Sequence, residues 1–513
     1  MNGAESLVHT LIGSGIDTCF ANPGTSEMHF VAALDRIPGI KCVLGLQENV
    51  VTGMADGYFR IAEKPASTLL HCGPGLANGL GNLHNTRRAR SGVVNIVGDQ
   101  ATFHRPYDAP LTADTESLSR SVSSWVRTSL SAADVGRDAA QAVQVAASPP
   151  GQVATLILPS DVSWEEGGLV GEALPKQISA AVDAMLIEEA AKILRGRDPA
   201  LILLSAGGVL SAGQQLAWDI AKETGADLMT DFAACRLSRG SGTLQLSRVP
   251  YNIDEACKSL SKYKHIILVS SKPPVGFFAY PGKPSKQYRS DVNLFTLSRP
   301  DQDACAALGS LAMELDAKHA PVPQSSSKIR ASDGPVSSKG LAQTLALLMP
   351  ESSIVVDESV SYGHGFYQYT HSAPAHDWLH NVGGAIGEGI PMATGAALAA
   401  KGKRRVINLQ ADGSAMYSLQ ALWTQARERL PCTTIILSNR KYDILVGEYE
   451  KVGARPGPTA MSMLNLTDPN LNWVQLANGM GVEAEVATNL DELRNLLSNS
   501  FSQRAPFLIE LLI

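Results

Sequence analysis

The chain has 513 residues, a net charge of −6 and 43 basic against 49 acidic side chains with no basic tract, which excludes a nucleic-acid-binding stripe. No apolar run approaches the ~20 residues that a membrane helix needs, and the N-terminus lacks a basic leader region. The seven cysteines are scattered without a CxxC pair, so neither a zinc site nor a disulfide framework is expected; a reducing compartment, the cytoplasm, is.

Residues 1–165 alternate helical and extended patterns. Ala4–Gly15 has apolar residues at helical spacing, and Asp17–Ala21, Cys42–Leu46, Ser67–Leu70, Val93–Val97 and Ala154–Leu158 suit buried strands. After the first strand comes Asn22-Pro23-Gly24-Thr25-Ser26-Glu27, where Ser26 is expected to cap a helix with Glu27 in its first turn. Glu48 follows the second strand and opens a helix, flanked by Val43, Leu44, Leu46, Val50 and Val51. An acid in such surroundings favours its protonated form. His71-Cys72-Gly73-Pro74-Gly75 follows the third strand.

Residues 185–315 repeat the style, with strands at Ala200–Leu204, Asp227–Thr230, His265–Val269 and Leu294–Leu297. Ser205–Gly213 is only loosely a glycine-rich nucleotide loop and reads as an ordinary turn. Phe277-Phe278 could line an apolar pocket, although two aromatics in a row more often form core. Residues 317–338 are rich in Pro and Ser and read as a linker. A third region, 335–513, holds a helix at Gly340–Leu348, a strand at Ile354–Val356 with its loop Asp357–Ser361, a glycine turn at Gly383–Gly387, and a closing strand at Pro506–Ile513. The alternation predicts an α/β chain of three doubly wound domains with mostly parallel sheets, over 1–165, 185–315 and 335–513.

The most informative stretch is Arg405–Tyr442. Val406–Gln410 suits a buried strand, Ala411-Asp412-Gly413-Ser414 a turn, Tyr417–Leu430 a helix, and Thr433–Leu437 a second strand ending in Ser438-Asn439-Arg440-Lys441. Parallel strands present their carboxyl ends to one ligand crevice, so Asp412 and Asn439 are expected side by side there. A carboxylate, an amide oxygen and nearby carbonyls suit Mg²⁺ with positions left open for phosphate oxygens.

Asp412-Gly413-Ser414, Leu422-Trp423-Thr424, Leu430-Pro431 and Ser438-Asn439 together resemble the diphosphate motif of thiamine diphosphate enzymes, with Ala411 and Ser438 departing from its usual Gly and Asn. Asn22-Pro23-Gly24, Gln47-Glu48 with Ala55–Tyr58, and His71–Gly81 resemble the pyrimidine domain of the acetolactate synthases and benzoylformate decarboxylases. The resemblance spans the chain. It implies pyrimidine-binding, middle and diphosphate-binding domains, with metal ligands at Asp412, Asn439 and the Lys441 carbonyl. It implies cofactor contacts at Ser361, Gly384, Ile386, Gly413, Ser414 and Asn439, Ile386 being the wedge between the two cofactor rings. Glu48 falls where the family activates its cofactor, and His71 matches a catalytic histidine. Thr25 and Leu445 fall at substrate positions. The family pattern implies a homodimer or homotetramer in which Glu48 of one subunit faces Asp412 of another. Some relatives hold FAD or ADP in the middle domain; FAD is possible here but not indicated, and the sequence leaves open whether that domain holds either or nothing.

The implied reaction is decarboxylation of a 2-oxo acid followed by carboligation or by aldehyde release. The paired histidines of pyruvate decarboxylases are missing, and so is the second histidine of benzoylformate decarboxylase, expected near Phe277–Tyr280. Carboligase and decarboxylase therefore both stand, with a catalytically silent protein of the same fold as a remote alternative. Tyr442–Leu464, with its glycines and prolines, reads as a lid. A dinucleotide-dependent oxidoreductase, a serine hydrolase and a zinc hydrolase each lack their motif.

Overall fold

The computed structural model describes residues 1–323 and 329–513, so the predicted linker at 317–338 lies partly outside the described residues. The chain is α/β, built on three sheets with helices between the strands. The first sheet is parallel throughout, in the spatial order Lys41–Leu44, Thr18–Asn22, Ala66–Leu70, Val93–Asp99, Val153–Pro159 and Trp125–Thr128. Its order reverses between Thr18–Asn22 and Ala66–Leu70. At such a switch point the connections leave in opposite directions and open a crevice beyond the carboxyl ends of the strands. The residues just past those two ends are Pro23–Glu27 and His71.

A second sheet holds Ser247–Arg248, Asp227–Thr230, Ala200–Leu204, His265–Val269 and Asn293–Ser298. Glycines of the Ser205–Gly213 turn serve packing, since a Cβ at Gly213 would overlap the Gly207 carbonyl. The third sheet runs Glu483–Ala487, Phe507–Leu512, Cys432–Ser438, Val406–Ala411, Ile354–Glu358, His376–His380 and Leu237–Arg239. Its last strand is antiparallel and comes from the middle of the chain. Here the switch point lies between Ile354–Glu358 and Val406–Ala411, so the segments beginning at Ser359 and Asp412 face each other.

The first and third regions are joined through two helices, Glu48–Ala62 and Gly389–Ala399. Glycines let their backbones touch: a Cβ on Gly57 would overlap the Met392 carbonyl, and one on Gly395 the Met54 carbonyl. Beside this contact lies a fully buried ionic group. Arg60 reaches Asp56 at 2.5 Å and Glu388 at 3.3 Å, and donates to the His380 carbonyl at 2.6 Å. Two carboxylates share one guanidinium, and burial holds Glu388 well above the usual carboxylate range against the pull of Arg60.

Two expectations are corrected. The helix predicted over Tyr417–Leu430 shrinks to Ala421–Arg427, because Tyr417–Gln420 form turns and the Ser418 hydroxyl donates to the Gly387 carbonyl at 2.6 Å. Ser26 caps no helix: Thr25–Glu27 form a single tight turn before the helix Met28–Arg36. No described helix is long and apolar enough to cross a membrane.

Candidate functional site

The carboxyl ends of the third sheet line a cleft that includes Ser361, Ile386, Asp412, Gly413, Ser414, Asn439 and Lys441. These residues are scattered over 80 positions of sequence and meet because three neighbouring parallel strands end at one rim. Asp412 is buried. Its Oδ1 accepts from the Gly413 N–H at 2.8 Å and its Oδ2 from the Arg440 N–H at 2.7 Å, which fixes the carboxylate and leaves a lone pair on each oxygen. Burial raises its carboxyl above the ordinary range, with these two hydrogen bonds opposing. Asn439 Oδ1 accepts from the Lys441 N–H at 3.1 Å, which orients the amide oxygen. One carboxylate and one amide oxygen, both pinned by main-chain donors, are hard ligands of the kind Mg²⁺ takes.

Ile386 enters the cleft from the glycine turn, and that turn is held from three sides. Glu358, at the end of its strand, accepts from the Gly387 and Gly389 N–H groups at 2.7 Å each, and from Gln410 Nε2 at 2.9 Å. Burial pushes its carboxyl up while these donors pull it back. From the helix Cys72–Ala89, Asn85 pairs with both the N–H and the carbonyl of Ala385, at 3.1 and 2.8 Å, and His84 Nε2 lies 3.2 Å from the Gly383 carbonyl. Gly384 has φ +82°, and a Cβ there would lie 2.5 Å from the Phe277 ring. Glu358 and Asn85 escaped the sequence reading. The only local signal was an acid at a strand's carboxyl end in Asp357-Glu358-Ser359.

The second cluster sits at the switch point of the first sheet. Glu48 opens its helix, half-buried, and accepts from Asn78 Nδ2 at 3.1 Å; the pocket around it is therefore less apolar than its sequence neighbours imply. A Cβ on Gly75 would lie 3.1 Å from Glu48 Oε1 and 3.3 Å from the His71 Cβ, so Glu48 and His71 flank the same glycine. The His71 ring covers Gly24, where a Cβ would overlap it. Its Nδ1 lies 2.8 Å from Glu27 Oε2 and 3.2 Å from Ser26 Oγ. Glu27 is buried and also accepts from the Gly24 N–H at 2.7 Å and from Ser26 Oγ at 2.6 Å. Glu27, expected only to favour a helix dipole, instead holds the histidine. The donor atoms of Glu27, His71 and Cys72 lie within 4.8 Å of one another. Burial pushes the Cys72 thiol up to about 11, and Ser26 Oγ lies 3.0 Å from its Sγ, so the thiol joins the hydrogen-bonded network around Glu27.

Thr25 is exposed at the same rim. Leu445, 45% exposed, lies on the helix Asp443–Lys451 of the predicted lid segment, in which no helical residue is buried. Phe277 and Phe278 are not core: they are 49% and 56% exposed. Glu48, His71, Thr25, Gly384 and Leu445 are not among the residues lining the Asp412 cleft. The chain thus carries two half-sites, one with oxygen ligands and one with an acid and a held imidazole.

Two family models match the chain. Residues 1–118 match the family "Thiamine pyrophosphate enzyme, N-terminal TPP binding domain", and residues 361–511 match the corresponding "C-terminal TPP binding domain". Over 100% of this chain and 99% of the relative, the sequence is 45% identical to a Mycobacterium tuberculosis protein named "Putative acetolactate synthase large subunit IlvX". It is 28% identical to the benzoylformate decarboxylase of Pseudomonas aeruginosa over 97% of this chain and 96% of that one. Among solved structures, the thiamine diphosphate-dependent 4-hydroxybenzoylformate decarboxylase of Rhodococcus jostii shares the fold with a TM-score of 0.83 at 24% identity, covering 99% of this chain and 98% of that one.

Proposed function

Since this chain belongs to the thiamine pyrophosphate enzyme family, which includes acetolactate synthases and 2-oxo acid decarboxylases, we propose that it decarboxylates a 2-oxo acid and joins the remaining acyl unit to a second carbonyl compound. The observation that carries this reading is the convergence of Asp412, Asn439, Lys441, Ser361, Ser414 and Ile386 on one cleft. Thiamine diphosphate, when bound, supplies the electron sink for loss of CO₂.

The roles of the chain's own residues are those that the family resemblance implies for their positions. Asp412 and Asn439, with the Lys441 carbonyl, hold Mg²⁺. Ser361, Gly413 and Ser414 would hold the diphosphate. Ile386, which lines the cleft, would pack against the cofactor's rings, and the Gly384 carbonyl would accept its amino group. Glu48 shares a proton with the pyrimidine ring. Since Glu48 is outside the Asp412 cleft of its own chain, the site is completed between subunits of a homodimer or homotetramer. His71, with Glu27 at Nδ1, moves a proton near the substrate, while Thr25 and Leu445 contact it. In this reading residues 1–165, 185–315 and 335–513 are the pyrimidine, middle and diphosphate domains of a cytoplasmic enzyme, with no nucleic-acid or membrane partner.

A second reading, decarboxylation with release of the aldehyde, is favoured by the 2.8 Å contact between Glu27 and His71, which provides a proton carrier for product release.

The test is incubation with thiamine diphosphate, Mg²⁺ and a panel of 2-oxo acids, with CO₂ and products quantified. Hydroxyketone or acetolactate-type products support the first reading and free aldehyde the second. A loaded protein that decarboxylates none of the panel overturns both. Glu48→Gln is expected to lose activity while retaining cofactor; full activity in that variant removes Glu48 from its role.

A further inference from the structure

Phe277 lies in the segment between the strands His265–Val269 and Asn293–Ser298, far in sequence from either half-site. Its ring nevertheless stands directly over Gly384, in the turn that delivers Ile386 to the cleft. It packs edge-on to Phe278 with centroids 4.9 Å apart, and 5.9 Å from Tyr251. Half of each phenylalanine surface remains open. A large apolar surface is left open beside a polar cleft at a cost in solvation, so it calls for an apolar occupant.

The wall is also tied to the predicted lid. Glu448, on the helix Asp443–Lys451, accepts from the hydroxyls of Tyr280 and of Tyr251, the latter at 3.2 Å, and pairs with Lys451 at 2.8 Å. Leu445 is three residues before Glu448 and so shares its helix face, which puts an exposed leucine on the side turned to the wall. The acid nearest the wall is engaged by two phenols and an ammonium group.

We propose that Phe277, with Phe278 and Leu445, receives the substituent of the 2-oxo acid, and that this wall selects an aryl or branched-alkyl substituent over a methyl group or a carboxylate-bearing chain. The inference rests on the 2-oxo acid reading above and names the substrate class for the same site. A flat ring gains dispersion and apolar burial against Phe277 that a methyl group is too small to make. A carboxylate-bearing chain would have to be desolvated against apolar side chains, and Lys451, whose ammonium lies over the Tyr251 and Tyr280 rings, is already paired with Glu448.

The test uses the full-length enzyme loaded with thiamine diphosphate and Mg²⁺. The ratio of kcat/KM for benzoylformate or 4-methyl-2-oxopentanoate to that for pyruvate is expected to exceed about tenfold, and to fall by about tenfold in Phe277→Ala, with Phe277→Leu between. Calorimetric binding of benzoylphosphonate and acetylphosphonate esters gives a readout independent of turnover, and the ratio of their Kd values is expected to move in parallel. A thiamine diphosphate titration of each variant separates loss of the wall from loss of cofactor. Preference for pyruvate or 2-oxoglutarate in the native enzyme overturns the proposal and leaves the 2-oxo acid reading intact. So does an equal loss on all substrates in Phe277→Ala. If the loaded enzyme neither binds nor decarboxylates any 2-oxo acid, the functional reading falls and the substrate class falls with it.

Discussion

Glu27 Oε2 lies 2.8 Å from His71 Nδ1, although the two residues close different strands. The carboxylate fixes the ring over Gly24 and assigns the proton to Nδ1. Glu27→Ala frees the ring and removes its partner. The expected loss in kcat/KM is about 10²-fold, comparable to removing a general acid–base group, with little change in cofactor affinity. Steady-state kinetics beside a thiamine diphosphate titration checks this; activity within twofold of the native enzyme, roughly the scatter of such assays, would show that Glu27 is only structural.

With Asp412 in the proposed metal role, its raised carboxyl is expected to make cation binding depend on pH. Metal binding needs the ionised form, so affinity for Mg²⁺ is full above the folded-state pKa and is lost as pH falls through it. Because that pKa lies above the ordinary Asp value, the loss begins at a higher pH than for an exposed carboxylate. Calorimetric titration of Mg²⁺ in the presence of thiamine diphosphate, from about pH 7 down to about pH 4, should show affinity falling roughly tenfold per pH unit below that point. A flat profile would remove Asp412 from the metal site. Chelation at neutral pH should release the cofactor, and added Mg²⁺ should restore it.

Gly395 and Gly57 permit the contact between the helices Glu48–Ala62 and Gly389–Ala399. Alanine at 395 gains about 1 kcal/mol of helix propensity. It also drives a methyl group into the Met54 carbonyl, and overpacking costs about 1–3 kcal/mol. Backbone cannot step aside as a side chain can, so the cost wins. Gly395→Ala is expected to lower the Tm and to displace Glu48 with its helix. A Tm equal to or above that of the native protein contradicts the close contact.

Arg60 is the one cation beside Asp56 and Glu388 among the described residues, and all three are buried. Arg60→Met strands two carboxyl groups in a dry interior and is expected to destabilise by about 3–5 kcal/mol. Denaturant unfolding measures this directly. A loss below about 1 kcal/mol, the size of a surface pair, would mean that the carboxyl groups are already solvated or neutral.

The elements legible in the sequence share one property: their signal is local. The strands Ala200–Leu204, Asp227–Thr230 and His265–Val269 carry short apolar runs between turn residues, and their bounds agree residue for residue with the structure. His376–His380 was not legible, because its charged and aromatic residues show no apolar run; it is buried by its neighbours in the sheet. Leu237–Arg239 joins the third sheet from the middle of the chain, a pairing that no nearby residue announces.

The same division runs through the candidate site. That Asp412 and Asn439 meet at one cleft was readable, because each follows a strand and parallel strands bring such ends to a common rim, whereas Ser361 and Ile386 were assigned to it through the family resemblance. The hold of Glu27 on His71, the grip of Glu358 and Asn85 on the glycine turn, and the stand of Phe277 over Gly384 were decided by tertiary structure alone. Hydrogen-bond and packing partners are chosen by distance in space. Side chains that sit tens to hundreds of residues apart acquire one another only when the sheets are assembled.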